Sequence, residues 1–233
     1  MKSSFPRPLV NLVKSVYIPH LRKKWKKHPL VKEWVDNNLI DDSEIDWLVL
    51  NWQRHNFPKP PPSKVKRIMI QETGKAHNCK YIVETGTYMG DTIESQINNF
   101  QKIYSIELNH EFWASARDRF SSDKKVTLIQ GDSGVELPKL VKDLDKKTLF
   151  WLDGHYCGGS TAKSEIECPI YEELGCIFRT NIDHVIMIDD ARMFNGTRDY
   201  PTLDELEKYI QKEQPKYKMT IDNDVIFVLP ENN

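Results

Sequence analysis

Ile82-Val83-Glu84-Thr85-Gly86-Thr87-Tyr88-Met89-Gly90-Asp91-Thr92 is the stretch whose reading decides the rest. The apolar run Tyr81 to Val83 has the composition of a buried strand, and Asp91-Thr92-Ile93 that of a helix start. Between them Gly86 and Gly90 let the backbone turn sharply and come close to a bound molecule, where a side chain would block the approach. Free N–H groups at a helix start favour a carboxylate or phosphate, and Glu84 at the strand tip favours an ammonium or hydroxyl. A ligand carrying both charges fits this turn best.

A dinucleotide-binding turn reads Gly-x-Gly-x-x-Gly, with backbone brought against a pyrophosphate. This chain has Glu-x-Gly-x-x-x-Gly instead. The stretch resembles motif I of class I methyltransferases that use S-adenosylmethionine (SAM), a ligand with an amino acid end and no phosphate.

Downstream, strand and helix signals alternate, the pattern of a parallel sheet covered on both faces. Strands are expected at Tyr81 to Val83, Lys102 to Ile106, Val126 to Gln130, Thr148 to Leu152 and His184 to Ile188. Helices are expected at Thr92 to Phe100, Glu111 to Phe120, Val135 to Leu144 and Ala162 to Phe178, the last broken by Pro169. Thr202 to Gln211 reads as a helix with a Thr202/Glu205 capping box. Tyr217 to Ile221 and Val225 to Leu229 then pair across Asp222-Asn223-Asp224, a hairpin turn by composition.

In an open parallel sheet the ligand lies outside the carboxyl ends of the strands. Acids stand at or just past nearly every such end: Glu84, Glu107, Asp132, Asp153, Asp189 and Asp190. Their repulsion is costly unless ligand hydroxyls, amines or a cation share the site. The arrangement reads as a pocket.

The resemblance to class I SAM-dependent methyltransferases runs from Lys80 to Leu229, about two thirds of the chain. It implies an α/β fold with a Rossmann-like, mostly parallel sheet closed by a C-terminal antiparallel hairpin, here behind an N-terminal helical extension. It also implies that Glu107 accepts bonds from both ribose hydroxyls of SAM, and that Asp132 faces the adenine amino group with Ser133 beside it. The turn Gly86, Thr87, Tyr88, Gly90 and Thr92, with Glu84, would hold the methionine end, and Asp153 would border the cofactor. Asp153 with Asp189-Asp190 is similar to the acid set of metal-dependent O-methyltransferases of the caffeoyl-CoA and macrocin sugar types. Coordination to Mg²⁺ or a similar hard cation would lower the pKa of an acceptor hydroxyl.

His155 is the candidate general base, its ordinary pKa lying near neutrality, with Asp153 as the other catalytic candidate. The loop Gly154 to Lys163 can close over the acceptor. Arg192 and Arg198 are placed to meet an acceptor hydroxyl or phosphate. Asp-Gly-His-Tyr at the fourth strand departs from the Asn/Asp-Pro-Pro-Tyr of enzymes that methylate base amino groups, so a nucleic-acid partner is not expected. The Gly-Gly-Ser-Thr loop and Asp-Asp-Ala-Arg segment depart from the caffeoyl-CoA type. The expected activity is O-methylation of a sugar or glycan hydroxyl. The alternatives are a small phenolic acceptor, a nicotinamide-dependent sugar oxidoreductase, and a catalytically silent SAM-binding domain.

Upstream the character changes, and we expect a boundary that leaves 1–75 as a basic helical extension with a proline linker and 76–233 as the methyltransferase domain. Nine Lys or Arg oppose one acid between Met1 and Val35, although the whole chain of 233 residues has net charge −1. That segment is a solvated helix face or a peripheral contact with an anionic membrane or polyanion. Trp47, Trp52 and Phe57 can stack on a sugar or pack inside. Pro58, Pro60, Pro61 and Pro62 form a stiff linker, followed by a helix from Lys64 to Gln71.

Four cysteines, Cys79, Cys157, Cys168 and Cys176, are too few and too irregular for a disulfide framework. They suggest reduced thiols and a cytoplasmic protein, with a zinc site at His155, Cys157, Cys168 and Cys176 as a minor alternative lacking any Cys-x-x-Cys pair. Neither a signal peptide nor a membrane span is expected, since Pro6, Pro8, Asn11 and Lys14 interrupt the N-terminal apolar residues. Self-association into a homo-oligomer is compatible with this reading.

Overall fold

A computed structural model of the chain describes Trp52, residues 55–154 and residues 168–231. The chain forms two compact units, Met1–Ile68 and Met69–Asn233. In the first, Trp52 is buried, packs edge-on against Phe57 at 4.9 Å and donates its indole N–H to Pro58 O. Trp52 is thus a core side chain and not a stacking platform. Helix α1, Ser63–Ala76, begins as Pro62 O accepts from Val65 N, and it outruns the expected end at Gln71.

The elements that follow are β1 (Tyr81–Thr85), α2 (Asp91–Gln96), β2 (Lys102–Glu107), α3 (His110–Arg119), β3 (Val126–Gln130), α4 (Ser133–Leu140), β4 (Thr148–Leu152), α5 (Ile170–Phe178), β5 (Val185–Ile188), α6 (Leu203–Glu213), β6 (Tyr217–Asp222) and β7 (Val225–Pro230). They build one seven-stranded sheet in the order β3-β2-β1-β4-β5-β7-β6. The first five strands pair in parallel, and β7 runs antiparallel to both β5 and β6. This is the Rossmann-like layout expected.

The central strands β1, β4 and β5 are mostly apolar because both sheet faces are covered. Val83, Phe150, Leu152, Ile186 and Ile188 point to one face and pack with Leu137 of α4, Leu174 of α5 and Leu206 and Ile210 of α6. Ile82, Leu149, Trp151, Val185 and Met187 alternate to the other face, where Ile70 of α1, Ile93 of α2 and Ala116 of α3 cover them. Every second residue thus serves one core.

Local chemistry sets the ends. Thr202 and Glu205 form the expected capping box at α6. Asn223 and Asp224, both at positive φ (46° and 67°), make a two-residue turn between the paired Asp222 and Val225, as the right-handed twist of a hairpin favours. Two helices are shorter than expected. α2 stops at Gln96, and α4 starts at Ser133 but gives way after Leu140 to a 3-10 turn, Val141–Asp143.

Cys79, Cys168 and Cys176 are buried free thiols. Burial pushes the first up to about 11 and the other two to about 12, so all three stay protonated. Among the described residues no helix is long and apolar enough to cross a membrane.

Candidate active site

The glycine turn after β1 is held from three sides. Gly86 adopts φ 88°, and a Cβ there would sit 2.6 Å from the carbonyl oxygen of Asp153. The room at Gly86 is therefore filled by the backbone leaving β4, not kept for a ligand as the sequence reading supposed. Gly90 (φ 78°) meets the Phe120 ring in the same way. Arg119 reaches across to Met89 O (2.5 Å), Asp91 (3.3 Å) and Glu94 (2.6 Å), fixing the outer side of the turn. α2 has only six residues, so its dipole is a weak attractor for a carboxylate.

Glu107 is the strand-end acid that the backbone orients on both oxygens. It closes β2, is 8% exposed, and each carboxylate oxygen takes one backbone N–H, Tyr88 N on Oε2 and Asn109 N on Oε1, both at 2.8 Å. Those bonds join the turn after β1 to the turn after β2 and fix the carboxylate plane. One lone pair on each oxygen remains for a diol. Tyr88 itself is at φ 48°, 56% exposed, with its ring edge-on to Phe112 at 4.9 Å. That pair forms an exposed aromatic wall beside Glu107.

Two residues assigned to the methionine end turn out to be internal. Glu84 is 2% exposed, accepts from Ser105 Oγ at 2.7 Å, and is pushed up to about 7, chiefly by burial. Thr87, 3% exposed, shares a 2.6 Å hydrogen bond with the same Ser105. Both brace the turn from beneath, while Thr92 remains half-buried at its far end.

Asp132 caps α4 by accepting from Gly134 N at 2.8 Å, with Ser133 buried beside it. Asp153 is half-buried, and its N–H reaches both Thr85 O (3.1 Å) and Thr85 Oγ1 (3.2 Å). Asp189 is the neighbour of Asp153 in the sheet, its N–H bonded to Leu152 O at 3.0 Å. Asp189 Oδ1 accepts from Asp190 N at 2.7 Å.

Asp190 goes elsewhere. Its backbone is left-handed (φ 56°), and its carboxylate pairs with Arg192 Nη1 at 2.7 Å. The same guanidinium nitrogen meets Asp224, a fully buried carboxylate from the β6–β7 turn that also accepts from Arg192 N at 3.0 Å. These two acids raise the guanidinium pKa against the effect of burial, which is the largest influence and lowers it. Arg192 is therefore a clamp between the loop after β5 and the terminal hairpin, and Arg198 lies in the exposed stretch that follows. Among the described residues no three His, Cys, Asp or Glu side chains form a ready metal-binding group.

The catalytic candidate His155, Cys157 and the loop to Lys163 beyond Gly154 lie outside the described residues. Sequence reading missed Arg192's partner, because a hairpin turn gives no sign of which loop it touches. It also passed over Glu173 of α5, a fully buried carboxylate hidden in an amphipathic helix. An acid flanked by Ile170, Leu174 and Ile177 was the available signal.

Comparison with known proteins bears on this geometry. No protein-family model matches the chain, and no curated protein matches it by sequence. Solved structures do. An S-adenosylhomocysteine-bound methyltransferase of Podospora anserina aligns with TM-score 0.54 over 98% of this chain and 97% of its own, at 17% identity. The Bacillus cereus O-methyltransferase in complex with S-adenosylhomocysteine gives 0.54 over 89% and 99%, at 13% identity. The Streptomyces achromogenes O-methyltransferase involved in tomaymycin synthesis, in complex with SAM, gives 0.52 over 91% and 99%, at 12% identity. At these identities the likeness is one of fold. This chain shares the fold of SAM-dependent O-methyltransferases along nearly their whole length.

Proposed function

We propose that the chain is a SAM-dependent O-methyltransferase acting on a hydroxyl of a sugar or glycan. The observation that carries the reading is Glu107, an acid at the tip of the second strand whose two oxygens are aimed by the backbone of two site loops. Its carboxylate suits the two ribose hydroxyls of SAM, with Asp132 and Ser133 toward adenine. Gly86, Tyr88 and Gly90 border the methionine end, which Glu84, Thr87 and Thr92 shape from beneath.

Transfer needs the acceptor oxygen in line with the methyl group and relieved of its proton. Asp153 and Asp189, side by side at the ends of β4 and β5, would hold a divalent cation such as Mg²⁺. Two carboxylates suit an ion that keeps waters or acceptor oxygens in its other positions. When bound, the ion lowers the pKa of the acceptor hydroxyl. Asp190, committed to Arg192, serves the loop. His155 is the proposed proton acceptor, with Asp153 orienting the acceptor.

The carboxylates gathered at the carboxyl ends of the parallel strands support a polyhydroxylated acceptor. The buried Trp52 lends that choice no weight.

Calorimetric titration with SAM and with NAD tests the cofactor. SAM binding weakened tenfold or more by Glu107→Gln is expected, since hydrogen bonds to a charged group contribute about 1.5–3 kcal/mol each. NAD binding, or binding of neither, sinks the reading. Chelation by EDTA should lower transfer to a hydroxylated acceptor while S-adenosylhomocysteine still binds. Unchanged turnover would remove the metal from the proposal.

A further inference from the structure

Beneath the strand ends lies a polar group that no other part of the candidate site accounts for. Glu173 is 0% exposed, and neither carboxylate oxygen has a hydrogen-bond partner of ordinary geometry. Buried polar groups are nearly always paired, so an orphan in the middle of a site calls for a cause. Its surroundings supply one. The hydroxyls of Ser133 and Thr85 act on it from α4 and β1. Those hydroxyls meet at the end of β4, where a Cβ on Gly154 would lie 3.0 Å from Thr85 Oγ1 and 3.2 Å from Ser133 Oγ.

Thr85 is the link. Its Oγ1 accepts from both Asp153 N (3.2 Å) and Gly154 N (3.1 Å), which uses its two lone pairs and leaves its own proton to donate. Glu173 is the carboxyl on which that hydroxyl acts, without a hydrogen bond of ordinary geometry between them. The turn that carries Asp153 and presses on Gly86 is thus tied to α5 through one hydroxyl.

We propose that Glu173 is a positioning acid: uncharged on the floor of the site, it holds the Thr85 hydroxyl against the Asp153–Gly154 turn, and its ionisation loosens that turn. The inference rests on the reading of the turns at the strand ends as a SAM site.

The groups that face Glu173 favour the uncharged form. α4 presents Asp132 at its start and α5 the adjacent Glu172, both of which push Glu173 up, while β1 presents the Thr85 hydroxyl. The thiols Cys168 and Cys176, before and on α5, are protonated. Burial, the largest influence, pushes Glu173 up to about 7, with Ser133 and Thr85 pulling the other way. Above that pH an unpaired buried carboxylate draws in water, which separates the first turn of α5 from Thr85.

The test compares the full chain with Glu173→Gln, which keeps the shape and the hydrogen bonds but cannot ionise, and with Thr85→Val. S-adenosylhomocysteine is the calorimetric probe, since its sulfur is neutral and its amine titrates identically against every variant. If only the uncharged form binds, wild-type affinity falls about tenfold more between pH 6 and pH 8 than that of Glu173→Gln. Thr85→Val should also lack the excess fall. Hydrogen exchange of the segment ending at Gly154 gives a readout without ligand. At pH 8 the wild type should exchange faster than Glu173→Gln, and at pH 6 at the same rate.

Parallel pH curves for wild type and Glu173→Gln in both measurements overturn the proposal, as does a wild-type curve in Thr85→Val. Absence of S-adenosylhomocysteine binding at every pH would instead refute the SAM site, and the exchange comparison would still decide the role of Glu173.

Discussion

Gly86 shows how one position can be legible and its reason hidden. Two glycines after a strand announce a turn. That the missing side chain makes room for the Asp153 carbonyl depends on a strand much later in the chain that becomes a spatial neighbour only once β1 and β4 pair. Gly86→Ala must therefore both adopt φ 88° and push the end of β4 outward. A loss of about 2 kcal/mol or more in urea unfolding is expected, with cofactor binding lost in the folded fraction. Unchanged stability would mean the turn can shift away from Asp153. Glu84 and Thr87 make a similar point. Their place in the motif was readable, whereas their burial on Ser105 depends on the register Glu84↔Ser105. The place of Glu107 at the end of β2 was readable, since an acid at a strand tip needs only the strand to be recognised.

At the scale of elements, alternation of short apolar runs with amphipathic segments was enough to place all seven strands within two residues. Helix ends were less legible. Gln96 and Asn99 turn their side chains on one another at the end of α2, where apolar spacing continues as far as Phe100. The capping box at α6 was visible because it is local. Thr202→Ala should cost about 1 kcal/mol, read as a lower midpoint in urea with an unchanged slope. The Arg192 clamp is the opposite case, a contact between two loops distant in sequence. Asp224→Ala removes the buried carboxylate that accepts from Arg192 N and faces its guanidinium. We expect about 2 kcal/mol of destabilisation and faster hydrogen exchange at Asp189–Arg192. Protection equal to wild type there would show that the hairpin does not hold that loop.

At the scale of the whole molecule, three buried groups among the described residues have large shifts that bear on stability between pH 4 and 8. Glu84 and Glu173 are raised from 4.5 to about 7, and His184, buried with Nδ1 accepting from Thr148 N, is lowered from 6.5 to about 4, in each case chiefly by burial. Between pH 4.5 and 7 the folded chain holds carboxyl protons that the unfolded chain has released, so stability falls as pH rises. The histidine works in the other direction. Below 6.5 the unfolded imidazole takes a proton that the folded one refuses, and stability is lost as pH falls toward 4. With two carboxyls against one imidazole, net stability should decline from pH 5 to pH 8, by up to about 3 kcal/mol per carboxyl. Urea unfolding of wild type, Glu84→Gln and Glu173→Gln at both pH values checks this, and each variant should flatten the decline. A rise in wild-type stability across that range would show that these carboxyls are ionised in the fold.

The position of β7 has a consequence for how the protein is made. Synthesis proceeds from the N-terminus, and β7 is the last of the seven strands to leave the ribosome, yet it lies between β5 and β6. Until it emerges, β5 has a bare edge, and the loop bearing Asp189 and Asp190 has no Asp224 to grip Arg192. A nascent chain can bury most of its core during translation and still lack an assembled site. The loop after β5 gains its Asp224 contact only when the β6–β7 hairpin joins the sheet.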